Sequence, residues 1–219
     1  MDIDAIVEEL RSFSFAGFTV DATVEEETDS LIAVRGHIYD SSGEEVGHYD
    51  RHFANRDGAW EVHHEGLYLD PGIQGRGFGT AFQRESEEVY ERHGVDQISM
   101  FAQEVGSYAW HNFGYHLAGT PEVRQKQCAA IWNKHGGRDR ARAALDAGRI
   151  DQSLFDATNK LFEAIAHGQH DPVEPDEIAA IGREIVWTEN TRKMWLGKTI
   201  LINSQWTGVK SLVPTTAEP

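Results

Sequence analysis

Apolar residues stand at helical spacing at the start of the chain, Ile3, Ile6, Val7 and Leu10, and predict a short amphipathic helix over residues 1–12. The period then changes. Residues 18–26 (FTVDATVEE), 31–39 (LIAVRGHIY), 46–53 and 60–69 read as strands, separated by the turn signals Thr28-Asp29-Ser30, Ser41-Ser42-Gly43 and Asn55-Arg56-Asp57-Gly58. Successive strands joined by tight turns predict an antiparallel meander. Asp70-Pro71-Gly72 closes the last of these strands, a glycine-rich loop follows, and residues 80–93 regain helical periodicity until Gly94 stops it. Residues 97–102 (QISMFA) read as a buried strand and 107–113 as a short helix before Gly114. Strand, loop, helix and strand make a βαβ crossover, which requires a parallel neighbour.

Beyond residue 119 the pattern is helical, over residues 123–132, 139–145, 152–166 and 175–183, with Pro175-Asp176-Glu177 suited to a helix start. The apolar run at 195–203 (WLGKTILIN) predicts a returning strand, and residues 214–219 a disordered tail. The chain thus reads as mixed α/β over residues 1–119, a helical elaboration over 120–185, a returning strand region over 186–213 and a tail over 214–219. It shows no internal repeat.

Charge sharpens this division. The net charge is −16, and residues 1–119 hold 23 acidic against 7 basic residues, whereas the remainder is balanced at 13 of each. Such a field disfavours nucleic acid and anionic membrane and favours a cationic substrate, although surface acid also serves solubility. No apolar run approaches the length of a membrane span, and the acidic start Met1-Asp2-Ile3-Asp4 is unlike a secretory leader, so a cytoplasmic protein is expected. The single cysteine, Cys128, excludes an internal disulfide and reads as a buried thiol in a helix.

The segment Gln74-Gly75-Arg76-Gly77-Phe78-Gly79-Thr80 lies between strand and helix. Glycines let the backbone approach a ligand, and the helix start aims free amides and its positive dipole end at the loop. That arrangement suits a phosphate or pyrophosphate, with Arg76 able to add a charge-assisted contact. No Gly-Lys-Ser/Thr follows, so it is not a Walker loop.

Gln74-Gly75-Arg76-Gly77-Phe78-Gly79, preceded by Leu67-Tyr68-Leu69-Asp70-Pro71 and followed by Ala109-Trp110-His111-Asn112-Phe113-Gly114-Tyr115, resembles the motifs of the GNAT superfamily of N-acyltransferases over about residues 18–119. The pattern with His63-His64, Leu67, Gly106, Tyr108 and Trp110 also looks like GNAT-like modules of actinobacterial proteins. The resemblance implies a mixed sheet with an antiparallel N-terminal meander and a βαβ acyl-CoA-binding core. It implies acetyl-CoA or another acyl-CoA as co-substrate, the backbone of Leu67, Tyr68 and Leu69 pairing with pantetheine, and the amides of residues 75–80 holding pyrophosphate. The position of the glutamate base of lysine acetyltransferases in this family falls by offset from Leu69 on His63, whose neutral imidazole could take a proton directly or through water. Glu61 and Glu65 share its face by alternation and could tune it or substitute for it. The family's tyrosine acid is replaced by Trp110, whose indole cannot protonate a thiolate, leaving Tyr108 or Tyr115 as stand-ins. The helices that usually separate the first two strands and help form the acceptor groove are missing, so residues 121–183, with Trp132 and Trp187, are the candidate cover.

The expected activity is acyl transfer, usually acetyl, from coenzyme A to an amine of a peptide or small basic natural product, with His63, Glu65 and Tyr108 as catalytic candidates. The competing readings are a non-catalytic GNAT-like module binding a partner protein, and a pocket for a different phosphate-bearing molecule. A homodimer is left open. No metal is expected: His37, His48, His52, His63 and His64 lie on neighbouring strands without recognisable ligand spacing.

Overall fold

A computed structural model describes residues 1–28, 30–104 and 106–213. The chain separates into two compact units, Met1–Met100 with Ser211–Pro219, and Phe101–Lys210. The fold is mixed α/β.

The first unit opens with α1 (Ile3–Ser12), whose N-terminus is capped by Asp2 Oδ1 accepting from the Ala5 amide at 3.1 Å. Its apolar stripe of Ile3, Ile6, Val7 and Leu10 is buried, as the spacing predicts. A two-residue strand β1 (Ser14–Phe15), not foreseen from the sequence, pairs with the start of β2 (Phe18–Glu27). Strands β3 (Leu31–Tyr39), β4 (Glu45–Arg56) and β5 (Ala59–Leu69) follow, each antiparallel to the one before. Helix α2 (Phe78–Arg92) then crosses over to β6 (Gln97–Ala102), which pairs parallel with β5. The meander and the βαβ crossover are therefore both present. β6 is the strand in which the chain passes from the first unit to the second.

Burial alternates strictly along β3, where Ile32, Val34, Gly36 and Ile38 face the core. Gly36 has no substitute there, because a Cβ would fall 2.0 Å from the Tyr49 ring. The core face also carries Phe53, Val62 and Met100, and the N-terminus of α2 is seated by aromatic contacts. Phe78, the first residue of α2, meets Phe13, Phe18 and Phe82 with each pair of ring centroids 5.7 Å apart. The opposite face of the sheet is polar: His37 stands opposite His48, and His52 opposite His63. α2 ends as Gly94 takes a positive φ of 74° and the Val95 amide reaches back to the Tyr90 carbonyl.

The second unit contains α3 (Gly106–Ala109) continued by a 3₁₀ turn (Trp110–Phe113), so the short helix expected there is split between two hydrogen-bonding patterns. β7 (His116–Leu117) is followed by α4 (Pro121–Asn133), α5 (Gly137–Asp146), α6 (Gln152–Ala166) and α7 (Pro175–Ala180). A hairpin of β8 (Trp187–Glu189) and β9 (Arg192–Met194), then α8 (Leu196–Leu201) and β10 (Trp206–Ser211), complete the described chain. Trp132 is fully buried and stacks on Phe162 at 4.8 Å with rings parallel to within 1°. Glu174 ties the chain locally, accepting from the Leu117 amide at 2.7 Å and from Arg124 at 2.9 Å.

The expected strand over residues 195–203 is a correction: this stretch is α8. Leu196, Gly197, Ile200 and Leu201 are buried at i, i+1, i+4 and i+5, one face of a helix. Gly197 permits the approach, since a Cβ there would lie 2.0 Å from the Ile178 carbonyl oxygen of α7. The strand comes later, at β10, which pairs antiparallel with β7. The expectation for residues 214–219 lies outside the described residues.

Candidate active site

The glycine loop follows β5 directly. A turn at Asp70 is closed by its carbonyl accepting from Ile73 and Gln74, and the Gln74 side chain donates back to the Leu69 carbonyl at 2.9 Å. Gln74 thus braces the loop to the strand. Gly75 and Gly77 take left-handed φ values of 77° and 89°, a region that penalises any side chain. Around Gly75 the space is open, with no heavy atom within 4 Å of where a Cβ would sit. Gly77 caps α2 without any side-chain hydrogen bond, so the first-turn amides of Phe78, Gly79 and Thr80 have no intrahelical acceptor. Exposed glycines, a helix N-terminus of 15 residues' standing and Arg76 on the surface together fit a pyrophosphate.

The strand leading into the loop leaves the sheet on one side. β5 pairs with β6 only through Glu61↔Gln97, Val62↔Ile98, His63↔Ser99 and His64↔Met100. Beyond His64 no further β6 partner is present among the described residues, while pairing with β4 continues to Leu69. At that point β5 carries a bulge: Arg51 faces His64 and Asp50 faces Gly66, leaving Glu65 as the extra residue. The bulge reverses the alternation, so Tyr68 joins the polar face and stacks on His48 with centroids 4.8 Å apart. The edge of residues 65–69, which holds Leu67, Tyr68 and Leu69, therefore has no ladder partner on the β6 side among the described residues, the kind of edge to which an extended ligand can add.

His63 lies just before the bulge, on the polar face. Its Nδ1 is 2.9 Å from Ser99 Oγ, and the Ser99 hydroxyl donates in turn to Glu61 Oε1 in a very short contact. Glu65 Oε1 is 3.8 Å from His63 Nε2 and 3.4 Å from His52 Nδ1. Arg56 Nε stands 3.7 Å from the other oxygen of Glu61. Half-burial of the imidazole lowers the His63 pKa below its ordinary 6.5, against the opposing pull of Glu65 and Glu61. The ring is therefore neutral near pH 7 and able to accept a proton. His64 is different in kind. It points into the core against Tyr90, ring centroids 5.8 Å apart, and burial drives its pKa well below 6.5.

Glu61, His63, Glu65, Leu67, Tyr68, Leu69 and the loop of residues 74–80 all lie in the first unit. Tyr108 lies in the second, its ring beside His111 at 4.6 Å and Trp195 at 5.8 Å, with Lys198 Nζ 5.1 Å above it. Partial burial raises the Tyr108 pKa above 10, which keeps the phenol protonated. Trp110 packs on Tyr115 and Phe113. Trp132 is core within its own unit, and Cys128 is buried with its thiol directed at the Val173 carbonyl. Among the described residues no group of three or more His, Cys, Asp or Glu is arranged to hold a metal ion, and no helix is long and apolar enough to cross a membrane.

Two residues of the cluster were not singled out as partners from the sequence. Ser99 is 36 residues from His63, and only the parallel register brings them together. His52 was visible as one of several strand histidines, but nothing in its spacing marks it as the neighbour of Glu65.

No family model matches the chain, and no curated protein matches it. Among solved structures it is similar to Arabidopsis thaliana Naa50 in complex with the bisubstrate analogue CoA-Ac-MVNAL, at 17% identity over 39% of this chain and 58% of that one, with a TM-score of 0.34. A tandem GNAT protein from the clavulanic acid biosynthesis pathway, without acetyl-CoA, is 21% identical over 43% of this chain and 31% of that one, TM-score 0.36. A GNAT family acetyltransferase from Elizabethkingia anophelis with acetyl-CoA bound is 9% identical over 48% of this chain and 80% of that one, TM-score 0.36. The chain thus spans less than two-thirds of the first two of these proteins.

Proposed function

We propose that the first unit binds an acyl-CoA and transfers its acyl group, acetyl in the simplest case, to an amine. The observation that carries this reading is the coincidence of two features in consecutive residues. A strand edge over residues 65–69, without a β6 partner among the described residues, leads directly into an uncapped helix N-terminus with Gly75 and Gly77 in left-handed conformations. The first suits the amide-bearing pantetheine arm and the second its pyrophosphate. On this reading Leu67, Tyr68 and Leu69 offer backbone groups, and Gln74, Gly75, Arg76, Gly77, Phe78, Gly79 and Thr80 form the phosphate cradle.

In the reaction, His63 Nε2 takes the proton of the amine as its nitrogen attacks the thioester carbonyl. The C–S bond breaks, the thiolate is protonated, and the products are an amide and free coenzyme A. Glu65, 3.8 Å from Nε2, is placed to hold the acceptor while it is still an ammonium ion. The excess acid of the first half of the chain supports a cationic acceptor, a peptide or small basic natural product. Water supplies the proton to the thiolate on this reading, since Tyr108, the tyrosine offered by the sequence, belongs to the second unit.

A second reading, a GNAT-like module without turnover, rests on Trp110 standing where the family resemblance would place a tyrosine. Calorimetric titration with acetyl-CoA and longer acyl-CoAs, on the wild type and on Gly77→Glu, tests the site, and micromolar binding lost in the variant is the expected result. An amine screen then separates the readings: turnover lost in His63→Ala with binding retained supports the enzyme. Binding without turnover of any amine supports the module, and no binding overturns both.

A further inference from the structure

We infer that Ser99 and Glu61 are positioning residues that fix His63 as the Nδ1-protonated tautomer, so that Nε2 is the nitrogen that takes the acceptor's proton. The inference rests on the reading of His63 as base, and adds to it a device that sets which nitrogen acts. A serine hydroxyl has one hydrogen to donate, and a carboxylate can only accept. The Ser99 hydroxyl hydrogen is committed to Glu61 Oε1, so toward His63 the serine oxygen presents a lone pair. At 2.9 Å that lone pair takes the hydrogen of Nδ1, and Nε2 keeps its own lone pair.

The three groups cannot drift apart easily. His63 and Ser99 are register partners in the parallel ladder, and Glu61 is two residues before His63 on the same face of β5. Ser99 is 7% exposed, so water competes poorly for its hydroxyl. Arg56 of β4 holds the other oxygen of Glu61 at 3.7 Å. Nε2 is left facing Glu65, the group beside which an ammonium ion would be held. The arrangement also supports the charged state formed during reaction: an imidazolium would donate Nδ1–H to Ser99, which passes the interaction to the Glu61 carboxylate.

Long-range ¹H–¹⁵N NMR of imidazole-labelled protein reads the tautomer directly and needs no turnover. The wild type is expected to show a pyridine-type nitrogen at Nε2 of His63, Ser99→Ala a mixture of both tautomers, and Ser99→Thr the wild-type pattern. A pyridine-type Nδ1 in the wild type, or an unchanged tautomer in Ser99→Ala, overturns the inference. Kinetics supply the second arm. Ser99→Ala is expected to lower kcat roughly tenfold to a hundredfold with little change in KM, and Ser99→Thr to restore it. In Ser99→Ala the acid limb of kcat/KM should move to lower pH, because the imidazolium loses its link to Glu61. Glu65 on β5, and His52, Arg56 and Arg51 on β4, remain in place around the ring. A fixed tautomer in a protein whose His63→Ala variant still turns over would leave the tautomer lock standing and remove the base assignment on which its catalytic meaning rests.

Discussion

Arg51, fully buried on β4, donates Nη1 to the carbonyl of Gly66 at 2.7 Å, the residue just past the bulge on β5. The same nitrogen is 2.8 Å from the Asp50 carbonyl, and the guanidinium lies 5.0 Å from the Tyr49 ring centroid. One core side chain therefore pins the point at which Glu65 is extruded and the pairing with β6 stops. Replacing it by Met keeps much of the volume but strips the donor from two carbonyls. The expected loss is about 1–3 kcal/mol, because the Asp50 and Gly66 carbonyls are only partly buried and recover part of the lost hydrogen bond from water. A urea melt reads the stability. Titration of the folded variant with acetyl-CoA should show weaker binding than wild type, because the edge past the bulge is no longer held.

Gly77 offers a test in which sterics and backbone conformation separate. A Cβ there would lie 3.6 Å from the Phe15 ring, an ordinary contact, but φ is 89°. Gly77→Ala should therefore destabilise by roughly 1–2 kcal/mol through backbone strain alone. Ligand binding should suffer more than stability, since relaxing φ swings the first amides of α2 away from the loop. A tenfold or greater rise in Kd for acetyl-CoA, with a Tm drop of a few degrees, is the expected pair of results. Equal Kd values would show that these amides do not hold the ligand.

Much of this architecture was legible in the residues. β3, β6 and α6 occupy the spans predicted from period and punctuation, because each is a long, regular pattern bounded by turn or cap residues. The run WLGKTILIN misled for a physical reason: short apolar stretches fit one face of a helix as well as a buried strand. Only packing against α7 decides between them. The loop at residues 74–80 was readable because its glycines serve backbone conformation, which is a local property. The bulge at Glu65 and the His63–Ser99–Glu61 chain were not, because both depend on register between strands, and register is written in no single segment.

His64 makes stability depend on pH with a definite sign. Its folded pKa lies well below 6.5, first because burial strips the charged form of water, then because Arg51 and His63 repel a charge. The unfolded chain, with an ordinary pKa near 6.5, then binds the extra proton at mildly acid pH, so stability is full above about 6.5 and falls as pH drops below it. One such group should remove about 1 kcal/mol between pH 6.5 and 5.5. Urea midpoints at pH 7.5, 6.5 and 5.5 measure the slope. His64→Leu should show a flatter dependence across that window, whatever its stability at neutral pH. An equally steep fall in that variant would assign the slope to other groups.

Cys128 separates a buried thiol from a working nucleophile. It is fully buried on α4, its Sγ lies 3.1 Å from the Val173 carbonyl oxygen, and burial pushes its pKa up to about 12. The thiolate is the reactive form, so the native protein at pH 8 combines negligible ionisation with no access for a reagent. Labelling by a thiol reagent should be slow in buffer and rapid in denaturant, and acyl transfer should survive Cys128→Ala. The substitution should cost roughly 1 kcal/mol, the scale expected for losing a small buried group and its weak hydrogen bond. Rapid native labelling, or turnover abolished in a folded Cys128→Ala protein, would move the chemistry from the polar face of β5 to the interior of the second unit. Intact turnover with a protected thiol leaves His63 and its neighbours as the groups to pursue.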